Sequence, residues 1–151
     1  MKEQSREMDV CNNRKARFNY TVLDTIECGV VLYGPEVKSL RQHLASLDGS
    51  YAVVRDGEVW MIGCHIEEYK NGKNDPHPPK RDRKLMIQKR QIGKFAEEAK
   101  IRGQTLVPLR IYFSGGWAKV ELALCQGKQN HDKRASIKDR DMKRAAQRGS
   151  E

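Results

Sequence analysis

The sequence predicts a mainly β (α+β) fold. The expectation is a small antiparallel barrel of about six strands with two or three helices, followed by a basic C-terminal tail that is disordered when free. Three observations predict it. Asp56-Gly57 and Ser114-Gly115-Gly116 each separate two runs of β-type residues, the pattern of tight hairpins. Two stretches with apolar residues at helical spacing interrupt the strands. Residues 126–151 contain only Ile137 and Met142 as large apolar side chains, too little to bury a core.

The elements follow in order. Residues 1–12 are polar and mixed in charge and read as a flexible N-terminus without the apolar run of a secretory leader. The folded domain is expected over residues 13–125. Tyr20 to Leu32 is a strand, bent at Gly29. Gly34-Pro35 opens a helix, because proline at the first helical position loses no hydrogen bond. Val37, Leu40, Leu44 and Leu47 extend that helix with one apolar face. Glu36 lies in its first turn, where the helix dipole favours an anion. Tyr51 to Arg55 and Glu58 to Ile62 form the first hairpin. Lys70 to Asp82, with Pro76, Pro78 and Pro79, is a mobile loop. Lys84 to Gln88 is a short strand, and Ile92, Phe95, Ala96 and Ala99 mark a second helix ended by Gly103. Thr105 to Phe113 and Trp117 to Cys125 form the second hairpin. Its return strand alternates Ala118, Val120, Leu122 and Leu124 with Trp117, Lys119, Glu121 and Ala123, so one face is wet. Pro108 cannot donate to a ladder and marks an edge or a bulge. Short, mostly antiparallel strands in this order suit a closed barrel of oligonucleotide-binding type, since closure removes exposed edges. A two-layer α+β sandwich is the alternative.

Charge placement narrows the partner. The 151 residues carry 29 Lys and Arg against 20 Asp and Glu, a formal net charge of +9. Residues 70–94 hold nine basic and two acidic residues, and residues 126–151 hold eight and four. Residues 20–69 hold three basic and eight acidic. Cations gathered in two blocks suit an acidic partner such as nucleic acid.

The tail has no proline, and its glycines are confined to Gly127 and Gly149. On a helical wheel Lys133, Arg134, Lys138, Arg140, Arg144 and Arg148 fall within an arc of about 160°. Arg134/Lys138, Arg140/Arg144 and Arg144/Arg148 are like-charge pairs at i,i+4, each costing an isolated helix about 0.2–0.5 kcal/mol. Phosphates facing the arc reverse that sign. A frayed, solvated tail is the other reading of the same charges.

Catalytic and metal chemistry find little support. Cys11, Cys28, Cys64 and Cys125 form no CxxC pair and read as free thiols of a reducing, cytoplasmic compartment. His43 and His65 lack an evident nucleophile partner. The neighbours Glu67-Glu68 and Glu97-Glu98 diverge on a strand or helix, as poor acid–base pairs do. Gly29 to Gly34 has the spacing of a phosphate loop, but Pro35-Glu36 follows where Lys-Ser/Thr is required. No stretch is long and apolar enough to span a bilayer. The expectation is a binder, not an enzyme, with no catalytic residue, no metal, no cofactor and no membrane partner.

Four segments then carry a family resemblance. They are Asn13-Arg14-Lys15-Ala16-Arg17; Gly34-Pro35-Glu36-Val37-Lys38-Ser39-Leu40-Arg41; Arg81-Asp82-Arg83-Lys84-Leu85 with Lys89-Arg90; and Gly127-Lys128 through Asp132-Lys133-Arg134, Ile137-Lys138, Arg140-Asp141 and Lys143-Arg144. Through them the chain resembles the small protein B (SmpB) family, the bacterial partners of transfer-messenger RNA in trans-translation. The match runs roughly from Asn12 to Arg148. Pro35, the Asp75-Pro76-His77-Pro78-Pro79-Lys80 loop and Gln88 depart from the usual family residues.

The resemblance implies a barrel that binds the tRNA-like domain of transfer-messenger RNA and delivers it to stalled ribosomes. It implies a tail that occupies the decoding centre and the empty mRNA channel, becoming helical there, so that the nascent peptide is tagged and the ribosome rescued. Alanyl-tRNA synthetase and elongation factor Tu are implied as indirect partners. The implied RNA contacts are Asn13, Lys15, Arg17, Glu36, Lys38, Ser39, Arg41, Arg83, Lys84 and Lys89. Their cations pair with phosphates, while Asn13 and Ser39 bond sugars or base edges. Glu36 either accepts from bases, orients Lys38 and Arg41, or serves as a helix-start carboxylate. Trp117 and Tyr112 are either base-stacking or structural aromatics. The implied ribosome-tail residues are Gly127, Lys128, His131, Asp132, Lys133, Arg134, Ile137, Lys138 and Arg140, with His131 as a stacking partner in the decoding centre. Two other classes compete: a general RNA-binding barrel and an RNA-processing enzyme.

Overall fold

The structure, a computed structural model, describes residues 7–68, 78–101 and 103–127. Its principal element is the long hairpin of β8 (Gln104–Ser114) and β9 (Trp117–Gly127). Gly115 and Gly116 turn it with φ of 58° and 81°, a backbone that glycine adopts without steric cost. The second hairpin joins β4 (Tyr51–Arg55) and β5 (Glu58–Ile62) through Asp56 and Gly57 at φ of 52° and 74°. Both turns are the ones their sequences specify.

These hairpins and two further strands close a ring. β9 pairs with β2 (Tyr20–Val30), β2 with β7 (Arg83–Met86), β7 with β5, β5 with β4, and β4 returns to β8 at Ala52 and Leu106. Six strands therefore form an antiparallel barrel, as expected. A seventh, β1 (Met8–Asn12), adds to the edge of β8 beyond β4, pairing Met8 with Phe113 and Asn12 with Arg110. Residues 8–12 thus depart from the expected flexible N-terminus. What holds them is distant in sequence: Arg110 donates to Asp9 (2.7 Å) and Glu7 (3.1 Å), while bonding Glu121 (3.0 Å) and stacking on the Tyr112 ring. At the other terminus β9 runs two residues past the expected boundary, to Gly127.

Pro108 sits where the theory of ladders allows it. The β8–β9 register slips between Pro108 and Arg110, so the strand is bulged there. The expected one-sided burial of β9 fails in its second half, where Ala123 and Cys125 are buried as well as Leu122 and Leu124. The reason is α1 (Arg14–Asn19), which lays Ala16 on the outer face and covers a second apolar cluster of Val107, Leu109, Ala123 and Cys125.

The helix after Gly34 is shorter than its apolar spacing suggests. α2 (Gly34–Arg41) stops before Leu44 and Leu47, and His43 turns the chain at φ 59°. Tertiary bonds take over beyond that point: Glu67 donates its N–H to the Leu44 carbonyl, and β3 (Ala45–Ser46) pairs with β6 (His65–Ile66). Leu40 and Leu47 still reach the barrel core, from different elements. α3 (Lys89–Ala99) adds Phe95 to that core. All four cysteines are free. Burial pushes the Cys28 and Cys64 thiols up to about 12, so both are inert at neutral pH. Among the described residues, no helix is long and apolar enough to cross a membrane.

Candidate nucleic-acid interface

The ten body residues expected at RNA divide into two sets. Asn13, Glu36, Ser39 and Arg83 are buried, and Lys15, Arg17, Lys38, Arg41, Lys84 and Lys89 reach the surface. The polar atoms of the buried four make bonds that serve the fold.

Glu36 and Arg83 are both 0% exposed and form an ion pair inside the barrel wall. Arg83 Nε donates to Glu36 Oε2 (2.7 Å), and its other nitrogens bond the carbonyls of Cys64, Arg81 and Pro79. Arg81 approaches the same carboxylate from the partly exposed side, with Nη2 at 2.5 Å from Oε1. The backbone N–H of Tyr33 completes the shell at 2.9 Å, the reciprocal bond of an N3 glutamate at a helix start. Burial alone would raise the carboxyl pKa. The bonds from Arg81 and Tyr33 and the charge of Arg83 outweigh it and leave it lowered. Glu36 therefore orients Arg81 and Arg83, and ties α2 to residues 79–83. Ser39 does similar work one turn on, donating to the Glu67 carbonyl (2.7 Å).

Asn13 continues the β1–β8 ladder where the chain leaves it. Its N–H bonds the Leu109 carbonyl (2.7 Å), and its Nδ2 bonds those of Pro108 (3.0 Å) and Leu47 (3.1 Å). Its Oδ1 caps α1 by accepting from Ala16 N–H (3.2 Å). Asn13→Asp is expected to cost about 2–3 kcal/mol although aspartate is an equally good cap, since it loses the donor and sets a carboxylate against two carbonyls. Urea midpoints of wild type, Asn13→Asp and Asn13→Ala check this; a wild-type midpoint for Asn13→Asp contradicts it.

Around this scaffold the cations are displayed. Lys15 and Arg17 project from α1 with loose pairs to Asp48 and Glu121, both 3.8 Å. Such exposed pairs hold a side chain by ~1 kcal/mol or less, so phosphates can replace them. Lys38 and Arg41 are exposed on α2, with Arg41 over the Phe113 ring at 4.7 Å. Lys84 bonds Glu58 (2.9 Å), and Lys89 begins α3 in the open. Tyr112 is buried with its hydroxyl on Glu27 and is a structural aromatic; Trp117 is 74% exposed at the hairpin tip. Among the described residues no cluster of His, Cys, Asp or Glu could hold a metal ion. Gly127 closes the β2–β9 ladder opposite Tyr20. The other tail residues, Lys128 to Arg140, lie outside the described residues, as does most of the Lys70 to Asp82 loop.

Comparisons agree with this architecture. The model of the SmpB protein family matches residues 10–151. The chain belongs to the SmpB family. Among curated relatives, the SsrA-binding protein of Nocardia farcinica is 49% identical over 148 residues, covering 98% of this chain and 92% of the relative. That of Mycolicibacterium smegmatis is 52% identical, covering 89% and 84%, and that of Trichodesmium erythraeum is 48% identical, covering 92% and 90%. A solved chain described as "tmRNA-SmpB: a journey to the center of the bacterial ribosome" superposes with a TM-score of 0.68 at 38% identity, covering 84% of this chain and 93% of that one. The SmpB segments thus contain both the buried ties and the displayed cations. Arg81 is the site residue that reasoning by charge alone passed over. Its place in the Arg81-Asp82-Arg83 run was visible, but its stacking on Tyr33 was not.

Proposed function

We propose that this chain binds the tRNA-like domain of transfer-messenger RNA, brings it to stalled ribosomes in the cytoplasm, and acts by binding rather than by catalysis. One observation carries the reading: proteins named for binding SsrA share about half their residues with this chain over nearly all of its length. The exposed set of Lys15, Arg17, Lys38, Arg41, Lys84 and Lys89 contacts phosphates, and Asn13, Glu36, Ser39 and Arg83 hold the elements that present them. The residues from Lys128 onward, with His131, Asp132, Lys133, Arg134, Ile137, Lys138 and Arg140, enter the decoding centre and the empty mRNA channel. Charging by alanyl-tRNA synthetase and delivery by elongation factor Tu proceed on this complex.

Salt titration tests the body's part. The intact protein is expected to bind a transcript of the tRNA-like domain far more tightly than an unrelated folded RNA at the same salt. Arg41→Ala and Lys89→Ala should each weaken binding and reduce the slope of log K against log salt by about 0.7–0.9. Equal affinity for both RNAs would instead support a general RNA-binding barrel.

A further inference from the structure

From the surface beside the Glu36 cluster, we infer that Tyr33 is a stacking platform for an unpaired nucleobase of the bound RNA. The inference rests on the RNA-binding reading above and adds a contact residue to it. Tyr33 is 56% exposed, yet it is not a loose side chain. The Arg81 guanidinium lies over its ring, 4.2 Å from the centroid. Arg81 is itself fixed by both oxygens of Glu36 and by the Val31 carbonyl, and Glu36 also accepts the Tyr33 N–H. One carboxylate therefore holds both the backbone of the tyrosine and the cation that covers one face of its ring. Little freedom remains to be lost when a flat partner settles on the exposed part of the ring.

The surroundings suit a nucleotide. Val30 is buried and Leu32 packs against the core, so Val31 and Tyr33 point outward together. Met86 is exposed and lies across Gly29, where an added Cβ would meet its methyl group at 2.8 Å. Met86, Val31 and Tyr33 thus form an apolar strip. Lys84 borders it, two residues before Met86 on the same face of β7, and Arg81 borders it at the tyrosine end. An apolar, aromatic strip between cations matches the apolar face and anionic backbone of a single-stranded nucleotide. Every base offers a π face, so the platform takes unpaired RNA without demanding one base.

The test uses the full-length protein and a transcript of the tRNA-like domain, with filter binding at several salt concentrations. Tyr33→Leu is expected to weaken binding about five- to a hundredfold, while Tyr33→Phe stays close to wild type. Because no phosphate contact is removed, the salt slope of Tyr33→Leu should equal that of wild type. Thermal melts establish that each variant is folded at the assay temperature. Wild-type affinity in Tyr33→Leu overturns the inference. So does a loss in Tyr33→Phe as large as in Tyr33→Leu, which would assign the effect to the hydroxyl, and so does a reduced salt slope, which would assign it to Arg81 on a phosphate. If wild type itself fails to prefer the transcript, the RNA reading falls and this contact falls with it, a result distinct from the loss in one variant.

Discussion

Glu36→Gln is expected to lower the stability of the barrel at neutral pH by about 3–5 kcal/mol, because it leaves the Arg83 guanidinium charged and unpaired in the interior. Small domains have roughly 5–15 kcal/mol in total, so much of the native state's margin goes with one oxygen-for-nitrogen exchange. The amide keeps the shape and still offers an oxygen to the Tyr33 N–H. Its new NH2, however, faces arginine donors where a carboxylate accepted from them. Arg81→Ala should cost less, since Arg81 is partly exposed and its loss leaves Glu36 still paired with Arg83. The pH dependence has a definite sign. A carboxyl whose folded pKa is lowered contributes stability that is present above the ordinary value of 4.5 and is lost as pH falls through the folded value. Wild-type urea midpoints should therefore fall below about pH 4.5, and the Glu36→Gln midpoint should change less over the same range. A Glu36→Gln midpoint equal to wild type at neutral pH would remove the structural role. It would restore the alternative that the resemblance implied, in which Glu36 accepts hydrogen bonds from RNA bases.

That alternative shows where sequence reading stops. Asp56-Gly57, Gly115-Gly116 and Pro108 were legible because their chemistry is local: the backbone angles or the missing N–H belong to the residue itself. β1 was not, since its five residues are tied to β8 by Arg110, about a hundred positions away, which bonds the carboxylates of Asp9 and of the adjoining Glu7. The end of α2 was not, because Leu44 and Leu47 keep helical spacing while answering to bonds from Glu67 and Asn13. The candidate site divides the same way. The motifs marked segments, but a charged letter in a motif does not say which way it faces. Lys38 and Arg41 point out from α2, while Glu36 and Ser39 point in. Arg83 completes Glu36 from 47 residues away, a pairing that no local pattern announces.

Ending the chain at Gly127 is expected to leave affinity for the tRNA-like domain within a few-fold of wild type and to abolish peptide tagging on a message that lacks a stop codon. The boundary matters. A cut after Cys125 removes Gln126, which pairs with both Thr21 and Gln104, and Gly127, whose N–H bonds the Gly103 carbonyl. That shorter chain would fray the seam of the barrel and confuse a folding defect with a functional one. A cut after Gly127 keeps the whole β2–β9 ladder and all of the displayed body cations. What it removes is the cationic arc from Lys133 to Arg148, whose like-charge pairs oppose a helix in water and favour one against phosphates. If the proposed division of labour is right, a second variant sharpens it. Reversing Arg134 and Lys138 to glutamate in the full-length chain should also suppress tagging while sparing binding to the isolated tRNA-like domain. Native gel shifts report the first property and a tagged-peptide immunoblot the second. Full loss of RNA binding in the chain ending at Gly127 would place essential RNA contacts in the tail and overturn the division between a binding body and a ribosome-entering tail.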